Sequence, residues 1–494
     1  MTSAPTLGPF EDPVTEAFDA PAKIPRRGGR AFFVASIVAQ VSALVRYVIL
    51  ARLLGPEQLG LAATLVVTGA FFDMISDTGA DRFLIQDRDG DTVTVQRLVQ
   101  TAYIGRGFAI AAGLIIAAVP VSQFFHAPAL AVGLAVLSLS PLISGFLHLD
   151  VTRAQRRHDF RSEAACLMAS ETAGLIVTIT AAWLTRNFTA ILYGLIARSL
   201  VMVLVSHLRA ERPYGLGWSR EHGPRLARFA APLMLSGLML FIGSQGDRAL
   251  IGHQLGVKAL GRYSAVLLLV YYPSALVLRY MHVMYMPTVA AGRDHPAHRH
   301  RVSEMLGGQT QLLALAMMVG FAVVAPPMVT ILYGAKFTEA ALTVGLIGIL
   351  QTTRFLIMWP TTVALGMGNS RTVLISNATR LLVFPGAVIG YRSLGGLPGV
   401  IVGFTIGEMI SVAVALALVN RGTGDNLLRG FDRFAVFIGT AAAVIGWNVA
   451  FLQHSMILGG VDLGISLILL AVVLRRERDA LRELIALRLR FIRR

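Results

Sequence analysis

The chain has 494 residues, of which 55% are hydrophobic and only 15% charged, and its mean hydropathy is +0.65. So few charges cannot cover a water-facing globular surface, which excludes a soluble domain and leaves an integral membrane protein with many spans. The net charge of +16 would by itself fit nucleic-acid binding, but its distribution along the chain assigns it to membrane topology, with no nucleic-acid partner.

Residues 1–28 open with a Pro-rich, polar and acidic stretch that lacks an apolar core, so they read as a disordered cytoplasmic tail rather than a signal peptide. A bilayer core of roughly 30 Å needs about 20 apolar residues per helix. Runs of that length predict helices over 31–53, 59–78, 99–121, 127–148, 163–184 and 188–208. After a basic linker at 209–228 they continue over 229–252, 262–285, 307–333, 340–366, 372–391 and 397–419. Two further spans, 433–452 and 456–474, lie within 420–474. The runs do not alternate every second residue, which excludes a closed β-barrel. The expected fold is therefore an all-α membrane protein of about 14 transmembrane helices. It comprises an N-lobe (29–208), a C-lobe (229–419) and two extra C-terminal helices, with a cationic cavity between the six-helix lobes. Residues 475–494 mix arginines with Leu481, Leu484, Ile485 and Phe491, as an amphipathic helix lying on anionic lipid would. The single cysteine, Cys166, has no partner for an intramolecular disulfide and reads as a core residue.

Positive charge tests the count, because one misplaced span would scramble its alternation. With a cytoplasmic N-terminus, lysines and arginines crowd one set of loops, from Lys23–Arg30 through Arg153–Arg161 and Arg209–Arg228 to Arg475–Arg494. The opposite loops hold only Arg186, Lys258, Arg262, Lys336 and Arg392. That pattern fits fourteen spans with both termini cytoplasmic.

The segments Leu54–Gly60 and Leu255–Gly261 share the pattern L-G-x-x-x-L-G, each in the outer loop after the first helix of a six-helix block. Their glycines suit tight turns, and their matching positions predict a duplicated unit. Six intervening spans make the repeats parallel, related by an axis along the membrane normal, as in transporters that alternate access by rocking.

Eight arginines fall inside the spans: Arg46, Arg52, Arg106, Arg198, Arg248, Arg279, Arg354 and Arg380. A charge at that depth costs at least about 2.5 kcal/mol, so such residues face an internal cavity or a partner. Helices equivalent in the two halves line a lumen between lobes, which favours Arg46, Arg248 and Arg279 as lumen residues, then Arg354, with Arg198 and Arg380 as further candidates. Arg52, at a helix edge, reads as structural. The alternative for each is an ion pair with Asp73, Asp77, Glu171, Asp247 or Glu408, and the same acids are the candidates for ion coupling. Asp77 fits a rim salt bridge with Arg82 or Arg106. No cofactor or metal site is expected: His295, His298 and His300 share a solvated loop, and only H+ or Na+ coupling is left open. Pro141, Pro232, Pro273, Pro326, Pro327, Pro360 and Pro385 should each kink a helix.

The segment from Leu50 to Gly79, with R-L-L-G-P-E-x-L-G after the first helix and Asp77-Thr78-Gly79 at the end of the second, resembles bacterial oligosaccharide flippases. These form the polysaccharide-transport branch of the multidrug/oligosaccharidyl-lipid/polysaccharide superfamily. Gly246-Asp247-Arg248 through Leu260-Gly261-Arg262-Tyr263 looks like that family's seventh-helix region. The resemblance implies a transporter, not an enzyme, in the bacterial inner membrane. It would flip a polyprenyl-diphosphate-linked oligosaccharide to the outer leaflet, alongside the polymerase and glycosyltransferases of its pathway. A lipid II flippase and a drug/cation antiporter of the same superfamily are the alternatives. Arginine suits diphosphate oxygens because its planar fork of donors never loses its charge. The P-loop pattern of ATP-driven exporters is absent from the sequence.

Overall fold

The computed structural model describes residues 28–157, 159–291, 296–337, 341–423 and 430–452, with isolated positions beyond. The N-terminal tail, span fourteen and the basic C-terminal tail lie outside the described residues. In chain order the helices are α1 Gly29–Leu54, α2 Pro56–Ile75, α3 Ala80–Gln86, α4 Val93–Phe124, α5 Ala129–Leu137, α6 Leu139–Ser144, α7 Asp150–Arg156, α8 Arg161–Thr185 and α9 Ala190–Leu208. They continue with α10 His222–Ala291, α11 Pro296–Tyr333, α12 Ala341–Leu356, α13 Met358–Gly366, α14 Ser370–Thr379, α15 Val383–Leu394, α16 Gly396–Thr423 and α17 Phe431–Leu452. Among the described residues ten helices are long and apolar enough to cross a membrane, and no strand occurs. Each of the first thirteen predicted spans coincides with a helix or a broken helix, spans seven and eight both lying in α10.

The repeat is visible in the backbone. Gly55 (φ 82°, ψ 175°) separates α1 from α2, and Gly256 (φ 82°, ψ 167°) divides α10 at the equivalent point. Only glycine adopts that region without strain. The expected loop at 54–60 shrinks to this single residue, because Pro56 starts α2 at once with its fixed φ and missing N–H. The second glycine of each copy has a different task. A Cβ on Gly60 would stand 1.7 Å from the Val257 carbonyl oxygen, and one on Gly261 would stand 1.9 Å from that of Pro56. The two copies therefore cross backbone to backbone, reciprocally, where α2 meets the second half of α10.

That crossing lies on what we term the Gly55 face, opposite the basic loops. Around it one apolar cluster runs from Leu50, Leu59, Leu65 and Phe125 of the first half into Ile251, Leu260, Val266 and Phe337 of the second. On the same face, Arg52 donates from Nε to the Leu332 carbonyl at 2.6 Å and from Nη2 to that of Ile331. These are terminal carbonyls of α11, unpaired within their helix and at the negative end of its dipole. His253 stacks on Phe124, ring centroids 4.1 Å apart, beside His126.

Three proline kinks fall where the missing N–H predicts. Pro141 follows the break at Ser138, Pro360 the break at Ile357, and Pro385 the 3-10 turn Arg380–Leu382, each break lying within the preceding turn. Pro326 and Pro327 instead sit inside the unbroken α11.

On the basic face the loops fold into a cap. The short helices α3 and α7 were not anticipated, because the periodic signal of seven residues is too brief to stand out. Arg153, 2% exposed, bonds Asp150 at 2.6 Å, Asp91 at 3.0 Å and Glu211 at 3.2 Å. The Glu211 and Arg212 amides donate to Asp150 Oδ2, so the linker is fastened onto the first lobe. Burial pushes the Asp150 carboxyl up, but the bonds from Arg153 and the two amides outweigh it and hold the group below the usual carboxylate range. The bond from Arg153, with Arg157 and Arg212 nearby, holds Asp91 below it as well.

Candidate functional site

The buried acids sort the arginines into three groups. In the second lobe Asp247 (α10), Arg354 (α12), Glu408 (α16) and Arg380 (the 3-10 turn) form one chain. Arg354 meets Asp247 at 2.9 Å and Glu408 at 3.1 Å, and Arg380 closes on Glu408 with contacts of 2.8 and 2.9 Å. Tyr263 donates to Asp247 at 2.5 Å. Both acids are fully buried, and their charges cancel those of the two arginines. The Pro385-linked break brings Arg380 into this chain by placing it in the tighter 3-10 turn.

The first lobe has too few acids to match. Arg198 (α9) lies 2.6 Å from Glu171 (α8), and Arg46 (α1) reaches the same carboxylate at 3.7 Å. Two guanidiniums share one acid: Arg198 Nε sits against it, while Arg46 Nη1 is buried without a hydrogen-bond partner. Arg248 (α10) donates to Gln245 at 2.8 Å and through its amide to Asp247, while its Nε is buried and unpartnered. No carboxylate among the described residues lies within ion-pair distance of its guanidinium. Among the described residues, and apart from Arg52, whose guanidinium is taken up by helix-terminal carbonyls on the Gly55 face, the intramembrane arginines thus leave two positive charges unmatched, on the Arg46–Arg198 pair and on Arg248.

Arg46 and Arg248 come from opposite lobes, and Tyr272 lies within electrostatic reach of both. Arg198 also borders a cavity of about 210 Å3 with Arg106, Tyr103, Ser144 and Ser199. Arg106 bonds Asp73 at 2.5 Å and the Ser76 carbonyl at 2.9 Å, and Asp77 pairs with Arg82 at 3.1 Å while accepting from the Gly79 amide. Asp73 and Asp77 thereby tie down the end of α2. Arg279 lies on α10, with its side chain outside the described residues, as is His295.

Sequence reasoning did not single out the hydroxyls around Arg248. Tyr47 (α1) lies within hydrogen-bonding reach of Ser264 (α10), and Tyr333 (α11) ends its helix nearby. The available signal was polar-tipped residues within apolar spans, one of them directly following Arg46.

Compared with known proteins, residues 49–342 match the family described as polysaccharide biosynthesis protein. The chain is 28% identical over 464 residues to the succinoglycan biosynthesis transport protein ExoT of Rhizobium meliloti (strain 1021), covering 88% of this chain and 90% of that one. Its fold is similar to the lipid II flippase MurJ in an inward closed conformation, with TM-score 0.66, 13% identity, and 91% and 99% of the two chains covered. It is also similar to an inward-facing multidrug resistance MATE family transporter of the MOP superfamily, with TM-score 0.60, 14% identity, and 83% and 98% covered. These solved structures share its helical architecture at identities that speak to fold alone. With more than half of its length matched, the chain belongs to the polysaccharide biosynthesis protein family.

Proposed function

We propose that this protein flips a polyprenyl-diphosphate-linked oligosaccharide across the bacterial inner membrane, by alternating access, for surface polysaccharide assembly. The observation that carries this reading is the surplus of two positive charges between the lobes. A diphosphate esterified at both ends bears two negative charges, which match that surplus. Dragging them bare through hydrocarbon would cost tens of kcal/mol. Arg46 and Arg248 present unpartnered donors from opposite lobes, so one diphosphate bridges the two and its charge never faces lipid. Arg354 and Arg380 belong to a different role: their acids already neutralise them, so they brace the second lobe.

In this reading the basic face is cytoplasmic, following the distribution of lysine and arginine, and the Gly55 face points outward. Glycosyltransferases supply the substrate on one side and a polymerase consumes it on the other, while the protein itself makes and breaks no covalent bond. An H+ or Na+ gradient acts through Glu171, the acid that Arg198 shares with the substrate-engaging Arg46. A drug/cation antiporter fits less well, because the unmatched charges are positive. The test is export in cells: Arg46→Gln and Arg248→Gln should each abolish surface polysaccharide while the protein stays in the membrane. Normal polymer in both variants would refute the assignment.

A further inference from the structure

The first lobe holds a cavity of its own, lined by α2, α4, α6 and α9. Its volume of about 210 Å3 is roughly fourteen times the ~15 Å3 that a single water needs. It runs from Asp73, near the basic-side end of α2, to Arg198, midway along α9. The Asp73 side chain is 67% exposed, so the cavity opens at that end. The Arg198 side chain is 40% exposed, and at mid-span a guanidinium that open must face a polar space rather than hydrocarbon. Its Nε rests on Glu171, and no other hydrogen bond or ion pair holds the group among the described residues, which leaves both terminal nitrogens to the cavity. On the opposite wall Arg106 bonds Asp73 at 2.5 Å, so that pair is neutral and repels an anion little. Hydroxyls line the space between them: Tyr103, and Ser199, which meets Ser140 at 2.9 Å and Ser144 at 3.0 Å.

We propose that this cavity is a loading station, in which the diphosphate of the lipid-linked substrate docks from the basic side before it reaches Arg46 and Arg248. The proposal rests on the diphosphate reading of those two arginines and adds an earlier position on the same path. The free fork of Arg198 suits two phosphate oxygens, and the tyrosine and serine hydroxyls donate to others. Arg198 and Arg46 hold the same Glu171 carboxylate, at 2.6 and 3.7 Å. An anion on Arg198 loosens that arginine's hold on Glu171 and leaves the carboxylate to Arg46, and its passage to Arg46 reverses the exchange. The diphosphate thus moves from one guanidinium to the next, and Glu171 is never left unpaired.

The experiment uses the purified full-length protein carrying Cys166→Ser and Met202→Cys, since Met202 lines the cavity, and follows labelling of the introduced thiol by a neutral, water-soluble maleimide. The probes are undecaprenyl diphosphate, inorganic diphosphate and phosphatidylglycerol, which separate a lipid-linked diphosphate from a free one and from an ordinary lipid phosphate. Undecaprenyl diphosphate at ten times its Kd should slow labelling about tenfold, because only the free protein reacts. Inorganic diphosphate should protect less, and phosphatidylglycerol not at all. Arg198→Gln should remove the protection while undecaprenyl diphosphate still binds through Arg46 and Arg248, which also shows that the variant is folded. Arg248→Gln should leave the protection intact. A thiol that never reacts, protection that survives Arg198→Gln, or equal protection by either of the other two probes overturns the loading station. Undecaprenyl diphosphate that binds in an Arg248-dependent way yet leaves the thiol reactive overturns the station alone, and its failure to bind at all overturns the diphosphate reading as well.

Discussion

Replacing Gly60 by alanine should open the Gly55 face. The added Cβ would stand 1.7 Å from the Val257 carbonyl oxygen, whereas real Cβ contacts essentially never fall below 3.0 Å, so the crossing must widen by more than an ångström. The obstacle is backbone on a packed helix, and no side-chain rotation relieves it. Overpacking of this kind costs about 1–3 kcal/mol, and here the cost falls only on the state in which the lobes touch. At 1.4 kcal/mol per factor of ten, the balance between closed and open forms shifts by roughly 5- to 150-fold. Gly261→Ala, whose Cβ would stand 1.9 Å from the Pro56 carbonyl, should act in the same way. Gly105→Ala is the control, since nothing lies within 4 Å of its Cβ. Spin labels on Arg186→Cys and Lys336→Cys, with Cys166 replaced by serine, read the distance across this face by pulsed electron resonance. Both positions are exposed and belong to different halves, Arg186 capping α8 and Lys336 in the 3-10 turn that follows α11. The reasoning predicts a longer distance and impaired export for Gly60→Ala and Gly261→Ala. An unchanged distance together with normal export would refute it.

Three further outcomes follow from the ion pairs. Glu408→Gln strands Arg354 and Arg380 beside a single remaining acid, and breaking a buried pair in this way costs about 3–5 kcal/mol. It should lower the thermal midpoint in detergent well beyond the effect of Arg248→Gln, and equal midpoints would contradict the bracing role. Arg153→Gln leaves Asp150 buried and unmatched, so amide hydrogen exchange should accelerate across residues 209–217, and an unaltered pattern would show that the cap is held by other contacts. Because Asp91 and Asp150 are held below the ordinary carboxylate range, their contribution is complete above the unfolded value near ~4 and is lost only as pH falls through the lower folded value. Burial also holds His148, which accepts from the Asp150 amide, below its usual value. Exchange in the linker should therefore be constant from pH 8 to 7 after correction for intrinsic rates, and loosen first as His148 is forced to protonate and again as the two carboxylates do; loosening between pH 8 and 7 would oppose this.

The spans were legible because twenty-residue apolar runs and alternating basic loops are long signals that reinforce one another. Three of the proline breaks were legible too, since a missing N–H acts on its own preceding turn. The repeat was visible as L-G-x-x-x-L-G, but its meaning was only half readable. Gly55 and Gly256 announce turns through local geometry, whereas Gly60 and Gly261 serve a crossing between segments some two hundred residues apart. The arginines were likewise visible in the sequence while their sorting was hidden. Arg354 and Arg248 look alike in sequence, and what separates them is the distance to Glu408 and Asp247, set by how α10, α12 and α16 pack. Local adjacency pointed the wrong way: Asp247 precedes Arg248, yet its carboxylate pairs with Arg354, 107 positions on, and takes only the Arg248 amide.

The claim that a charge surplus carries the substrate is tested most directly by flipping in reconstituted vesicles. Fluorescent polyprenyl-linked oligosaccharides, joined through either a diphosphate or a monophosphate, would be scored for the fraction that becomes accessible to an externally added quencher. The account predicts rapid flipping of the diphosphate form, slower flipping of the singly charged monophosphate form, and loss of the diphosphate advantage in Arg46→Gln and Arg248→Gln. Wild-type rates in both variants, or equal rates for the two linkages in the wild type, would contradict it.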